Sequence, residues 1–130
     1  MNTYNEKYEF YKNKYPDLFS TDPMNLKLWG NPPSIKIDKG WDGLLNEIFE
    51  HINNARNLEK SQIIVSQIKE SDGELKIYFS STNTQTISQI AEICNKSKNI
   101  CEYCGTLENV QKRNLSYFYK SCCKSCGESQ

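Results

Sequence analysis

The sequence predicts an α+β fold in which an antiparallel β-hairpin or sheet is packed by two or three helices and carries a C-terminal four-cysteine zinc ribbon. Three observations predict it. Apolar residues recur at helical spacing from Trp41 to Leu58, the pattern of a helix with one buried face. The period then changes to β-branched and alternating runs on either side of Asp72-Gly73, a hairpin signal. Two Cys-x-x-Cys pairs, Cys101/Cys104 and Cys123/Cys126, stand eighteen residues apart, a spacing suited to a four-thiolate metal site. The chain thus divides into an α+β domain over 1–98 (an N-terminal helix, a central helix 41–58, a hairpin 63–80 and a helix 84–98) and a ribbon over 99–130.

Tyr4, Tyr8, Tyr11 and Tyr15 fall on one stripe of the first helix, which Pro16 stops. Such a stripe either docks a terminal helix on the core with its hydroxyls at the rim or serves as a recognition surface. Leu18, Phe19, Leu26, Leu28 and Trp29 follow among Pro23, Pro32 and Pro33, and read as an irregular packed loop. In the central helix Trp41, Leu44, Leu45, Ile48, Ile52 and Ala55 share the buried face, and Asp42 places a carboxylate where the helix dipole favours it. His51, the sole histidine, lies on the flank of that face as a half-buried edge residue. The hairpin joins Ile63–Glu70 to Leu75–Phe79, with Leu75, Ile77 and Phe79 on one face and Lys76 and Tyr78 on the other. Ile87, Ile90, Ala91 and Cys94 line up toward the core in the next helix, with Cys94 as a small packed hydrophobe. In the ribbon, Gly105 and Gly127 allow tight turns behind the thiolates. Leu115, Tyr117 and Tyr119 alternate with Ser116, Phe118 and Lys120 as a short strand leading into the second pair.

A chain of 130 residues supports one compact core, or a domain with a small appendage. Its hydrophobic fraction of 37% is low, offset by 12% aromatic residues with large buried area per side chain. Sixteen basic residues balance sixteen acidic ones, so no global field directs the chain to nucleic acid or to a membrane. No signal peptide and no apolar run of membrane-spanning length is present, and a membrane partner is not expected. Six cysteines without an export signal favour metal ligation in a reducing cytoplasm over disulfides or redox thiols.

The expected cofactor is one structural Zn²⁺ per chain, held by Cys101, Cys104, Cys123 and Cys126. Cys122 adjoins Cys123, so the register is ambiguous; only Cys123 with Cys126 makes the two-residue knuckle, and Cys122 would widen it by one. A closed four-thiolate shell leaves no position for water or substrate. No Gly-rich phosphate loop, His-Glu metal motif or nucleophile elbow accompanies it, and the chain is not expected to be an enzyme. From Cys94 onward six basic residues face three acidic ones, and the negative charge of a four-thiolate zinc site removes most of that surplus. Lys112 and Arg113 with Tyr117, Phe118 and Tyr119 are the residues that phosphate contact and base stacking would use.

The order Tyr15-Pro16-Asp17-Leu18-Phe19, Trp29-Gly30, then Gly40-Trp41 opening a helix resembles a family of small uncharacterised zinc-ribbon-containing proteins of bacteriophages, prophages and bacteria. The run Val65-Ser66-Gln67-Ile68-Lys69-Glu70 followed by Gly73-Glu74-Leu75-Lys76-Ile77-Tyr78 is similar to that family's most recognisable segment. Its Cys-x-x-Cys-Gly knuckle and closing ligand pair are matched by Cys101, Cys104, Gly105, Cys123 and Cys126, so the resemblance runs from Tyr15 to Cys126. Where the family has Lys-Phe-Gly-Gly-Leu-Arg through the turn, this chain has Ser71-Asp72-Gly73-Glu74-Leu75-Lys76, and Leu26, Leu28 and Ile37 occupy a stretch that is often cysteine-bearing. A surface built on those arginine or cysteine positions is not carried over.

The resemblance implies a source and an architecture rather than a reaction. The functional expectation is a non-enzymatic accessory protein that binds a host or viral protein in the cytoplasm of a bacterial host, as an inhibitor of host defence or a modulator of gene expression. A nucleic-acid-binding zinc-ribbon regulator is the alternative. Candidate interaction residues are Tyr4, Tyr8, Tyr11, Tyr78, Tyr117, Tyr119, Lys112 and Arg113, since aromatic and basic side chains anchor interfaces.

Overall fold

Asp72 and Gly73 both take positive φ, 55° and 83°, as a two-residue hairpin turn requires. That turn joins β2 (Ile64–Ser71) to β3 (Glu74–Ser80) in antiparallel register, with Ile68 opposite Ile77 and a bulge between Val65 and Gln67. The computed structural model describes residues 3–19, 33–59, 63–81 and 83–130. Pro23, Leu26, Leu28, Trp29 and Pro32 of the expected loop lie outside them.

The sheet is mixed rather than purely antiparallel. β1 (Ser34–Lys36) pairs with β2 in parallel, Ile35 opposite Ile68, and Phe19 bridges Val65 in the same sense. The strand order β1-β2-β3 puts β2 in the middle and β3 at an edge. Ile35, Ile68 and Leu75 face the helices and belong to one continuous core. Lys36, Lys69 and Lys76 form a row across the opposite face, because pairing places them side by side.

The first helix, α1 (Tyr4–Lys14), is capped by the Thr3 hydroxyl, which accepts the Glu6 amide at 3.1 Å. A single turn of 3₁₀ helix, Pro16–Leu18, follows it. The tyrosine stripe docks this helix: Tyr11 and Tyr15 stack on Phe49 at centroid distances of 4.3 and 5.8 Å, and Tyr8 meets Phe19 edge-on. Burial pushes the Tyr11 hydroxyl up to about 12. Lys7 is buried as well. Its ammonium donates to the Ile37 carbonyl at 2.7 Å and pairs with Asp42 at 2.8 Å, joining α1 to the segment beyond β1 and to the start of the central helix.

Helix α2 (Asp42–Glu59) buries Leu44, Leu45, Ile48, Phe49, Ile52 and Ala55, with Trp41 just before it in a 3₁₀ turn. Helix α3 (Thr84–Asn95) starts at Asn83, whose side chain accepts the Thr86 amide. The expected helix over 84–98 ends at Asn95 and tightens to 3₁₀ over Lys96–Asn99. His51 is half-buried and hydrogen-bonds Gln89, tying α2 to α3. Thr86, Ile90, Ile93 and Cys94 of α3 point inward. Cys94 is core, and burial raises its thiol to about 11. Ile87 and Ala91, expected on that face, are exposed, because the helix turns its Ile90–Ile93–Cys94 side to the core instead.

The ribbon consists of β4 (Gln111–Asn114), β5 (Tyr119–Cys122) and a short helix, α4 (Lys124–Glu128). The strand expected over Leu115–Lys120 is largely a turn: Leu115 donates to the Phe118 carbonyl, Ser116 has φ 83°, and pairing resumes only at Tyr119. Among the described residues no helix is long and apolar enough to cross a membrane.

Lys7→Met keeps the stem of the side chain and strands the Ile37 carbonyl without its donor. It is expected to lower unfolding free energy by roughly 1–3 kcal/mol, read as a shifted urea midpoint at unchanged slope.

Candidate metal centre

Two similar turns present the cysteines. In the first, the Gly105 amide donates to the Cys101 carbonyl at 2.8 Å, with Gly105 at φ 82°, as expected of a residue turning the backbone behind the pair. In the second, Cys123 caps α4, its sulfur accepts the Cys126 amide at 3.4 Å, and the Gly127 amide donates to the Cys123 carbonyl at 2.9 Å. Gly127 itself lies inside α4 rather than at a left-handed turn. What it supplies is room: a Cβ there would sit 3.0 Å from the Arg113 side chain and 3.4 Å from the Cys122 sulfur.

The sulfurs of Cys101, Cys104, Cys123 and Cys126 all lie within 4.8 Å of one another. Cys104 and Cys123 are 3.8 Å apart. A tetrahedron of sulfurs about 2.3 Å from a central ion has edges of about 3.8 Å, so the group fits such an ion. All six cysteines are free thiols. Four sulfur donors suit a thiophilic ion and, once closed around it, leave no open position. Cys123, not Cys122, joins the group; Cys122 is fully buried beside it as a packing residue.

The thiols divide electrostatically. Burial opposes ionisation of Cys101, but backbone amides of Cys123, Cys104 and Tyr103 outweigh it and bring the thiol down to about 7. At Cys104 the Thr106 amide favours the thiolate, yet burial and thiol protons shared with Cys101 and Cys123 carry it up. Burial and the same sharing raise Cys126. Four thiolates this close need a cation between them; a bound divalent ion deprotonates its sulfur ligands.

The ribbon is fastened to the rest of the molecule through the residue between the first two ligands and their turn. Glu102 is fully buried. Its amide donates to the Ser121 carbonyl, its carbonyl accepts the Gly40 amide at 2.7 Å, and its carboxylate accepts the Asp38 amide at 3.2 Å. Lys120 lies 3.1 Å from that carboxylate and 3.0 Å from Glu70 of β2. Burial pushes the Glu102 carboxyl up while Lys120 holds it back, and the two carboxylates outweigh burial to raise the Lys120 ammonium. Gly40 is obligatory for space, since a Cβ there would overlap the carbonyls of Cys101 and Glu102. The Trp41 indole donates to the Ile100 carbonyl at 2.8 Å, and the Ser121 hydroxyl to that of Gly73. Neither Glu102 nor Lys120 carries a sequence signal; a charged residue beside a ligand reads as solvated until the Gly40 loop is seen to cover it.

The candidate interaction residues are scattered rather than gathered. Tyr11, only 2% exposed, is a core residue and cannot contribute to a surface, and Tyr8 is half-buried against the core. Tyr4 and Tyr78 are exposed, Tyr78 on the lysine face of the sheet beneath the Lys69 ammonium. Tyr117 and Tyr119 stand at the ribbon tip, with Lys112 over the Tyr119 ring at 5.0 Å. Lys112 pairs with Asp72 at 2.8 Å. Arg113 is spent on the ribbon's own carbonyls, those of Cys122 at 3.0 Å and Asn109 at 2.9 Å. No family model, no curated protein and no solved structure matches this chain, so its residues alone must carry the functional argument.

Elemental analysis should find one thiophilic ion per chain. Cys123→Ser is expected to lose it, and Cys122→Ser to retain it. Acidification should release the ion as protons compete for the thiolates, read as loss of metal in a pH titration. Lys120→Met should cost about 3–5 kcal/mol by leaving Glu102 buried without a counter-ion; adding Glu102→Gln should recover most of it, measured by denaturant unfolding in a double-mutant cycle.

Proposed function

We propose that the chain is a non-enzymatic accessory protein of phage or prophage type that occupies a host or viral protein in the bacterial cytoplasm, with a single zinc ion in a structural role. Zinc is the proposed ion because four thiolates satisfy a redox-inert, tetrahedral cation that asks for no further ligand. Its work is to hold the ribbon closed. Occupying the partner would inhibit host defence or modulate gene expression, in keeping with the phage-type resemblance of the segments from Tyr15 to Cys126.

The observation that carries the protein-binding reading is the ribbon tip. Tyr117, Phe118 and Tyr119 are 97%, 46% and 44% exposed, three consecutive aromatic rings that the fold does not bury. The turn holding them is pinned by the Leu115–Phe118 hydrogen bond and by β4–β5 pairing. Rigid exposed aromatics are typical anchors of protein interfaces. A nucleic-acid regulator would stack bases on the same rings and needs free cations beside them. Here Lys112 is paired with Asp72, Lys120 with Glu70 and Glu102, and Arg113 with backbone carbonyls, so phosphate binding would break contacts that support the ribbon.

Zinc-loaded full-length protein used as bait in host lysate is expected to retain one protein in stoichiometric amount. Tyr117→Ser/Tyr119→Ser should release it while keeping the metal. A bait that retains no protein, or holds it unchanged in the double variant, would sink this reading. Binding of a labelled single-stranded oligonucleotide that falls steeply from low to physiological salt would replace it with the nucleic-acid one.

A further inference from the structure

Among the described residues β3 pairs only with β2. The Leu75 amide donates to the Ser97 hydroxyl at 3.0 Å, on the side away from β2. Backbone groups of a strand change sides at every residue, so the N–H and C=O groups of Ile77 and Phe79 also point away from β2. No backbone partner beyond the sheet meets them among the described residues. An open edge of this kind is a template for another strand.

What borders the edge is apolar on the core face of the sheet, while Lys76, Tyr78 and Ser80 lie on the other. On the core side, Ile87 and Ala91 of α3 look across a hollow of about 250 Å³ at Ile77 and Phe79. A second hollow, of about 360 Å³, wraps the edge where Tyr78 meets Phe79 and Ile87. Ile87 is 43% exposed although it extends the buried stripe of its helix. At the Leu75 end the surface becomes basic. Lys76 and Lys98 share the single carboxylate of Glu74, at 3.3 and 3.8 Å, and Lys112 of the adjoining ribbon already has Asp72. One lysine is in surplus.

We infer that this edge seats an extended segment of the protein partner, added to the sheet beside β3, apolar at alternate residues and carrying a carboxylate toward Lys76 and Lys98. The inference rests on the reading above that the partner is a protein, and it specifies how one part of that protein is held. Main-chain hydrogen bonds to Ile77 and Phe79 fix the segment, with a repeat of about 6.8 Å per two residues. Its apolar side chains lie against the core-side hollow, the intervening ones pass beside Tyr78, and the lysine end sets its direction. Backbone bonding supplies affinity and the hollows supply selection, as in other strand-addition complexes.

The test pans the metal-loaded full chain against a displayed library of random linear peptides. Selected peptides are expected to share apolar residues at alternate positions and an acidic group at one end. N-methylation of a selected peptide should weaken binding at alternate residues only. Ile87→Glu and Ala91→Glu, both at exposed positions, should each weaken it by at least about tenfold, while Leu58→Ser on the exposed side of α2 leaves it unchanged. An empty selection, peptides without alternation, or binding unmoved by both groove variants overturns the proposal. So does a concentration-dependent dimer abolished by Ile87→Glu, which would make a second copy of the chain the occupant. A lysate partner held equally by the wild-type and Ile87→Glu chains removes the groove and leaves the protein-binding reading standing; a wild-type bait that holds no protein removes both.

Discussion

Closure of four sulfurs on one centre is the constraint on which the ribbon depends. Its own buried cluster consists of Cys101, Cys122 and Cys123, with Tyr103, Val110 and Cys126 packed around them. No leucine, isoleucine or phenylalanine is among them, so hydrophobic burial alone is a weak driving force for these residues. Four sulfurs that close on one ion can supply the stabilisation that so small a cluster does not. The two cysteine pairs bracket β4, the aromatic tip and β5.

The same closure reaches the larger core through one residue. Glu102 sits next to a ligand and uses its amide on β5 and its carbonyl and carboxylate on the 38–40 turn. A buried carboxylate is costly unless it is paired and hydrogen-bonded. Lys120 and the Asp38 amide meet that demand, and Glu70 extends the pair into the sheet. Lys7 does the analogous job on the same segment, where it fixes α1 against Ile37 and Asp42. Charged groups inside this protein therefore act as joints that fasten α1 and the ribbon to the segment 37–42.

How much of this was legible in the sequence depended on whether the signal was local. The hairpin was, because Asp72-Gly73 is a turn chemistry that only a few backbone geometries satisfy. The ligand set was, because two-residue knuckles and an eighteen-residue loop leave few alternatives. The parallel strand β1 was not: three residues after a proline pair hold no periodicity, and its partner lies more than thirty positions away, Ile35 on Ile68. Alternation from Leu115 to Lys120 pointed to a strand, yet a positive φ at Ser116 makes it a turn, a conformation that serine does not announce. Ile87 and Ala91 followed the helical stripe but lost the competition for the core to Ile93, since a stripe wider than the surface it covers must leave one flank outside. The joints at Lys7, Glu102 and Lys120 were invisible for a similar reason: each is decided by a neighbour distant in sequence.

The hydrogen bond from the Trp41 indole to the Ile100 carbonyl has an optical consequence. Ile100 immediately precedes the first ligand, and the indole itself is wholly buried. The hydrogen bond therefore sets a buried fluorophore one residue away from the sulfur cluster. One of the chain's two tryptophans thus reports from the hydrogen bond that joins the ribbon to the larger domain.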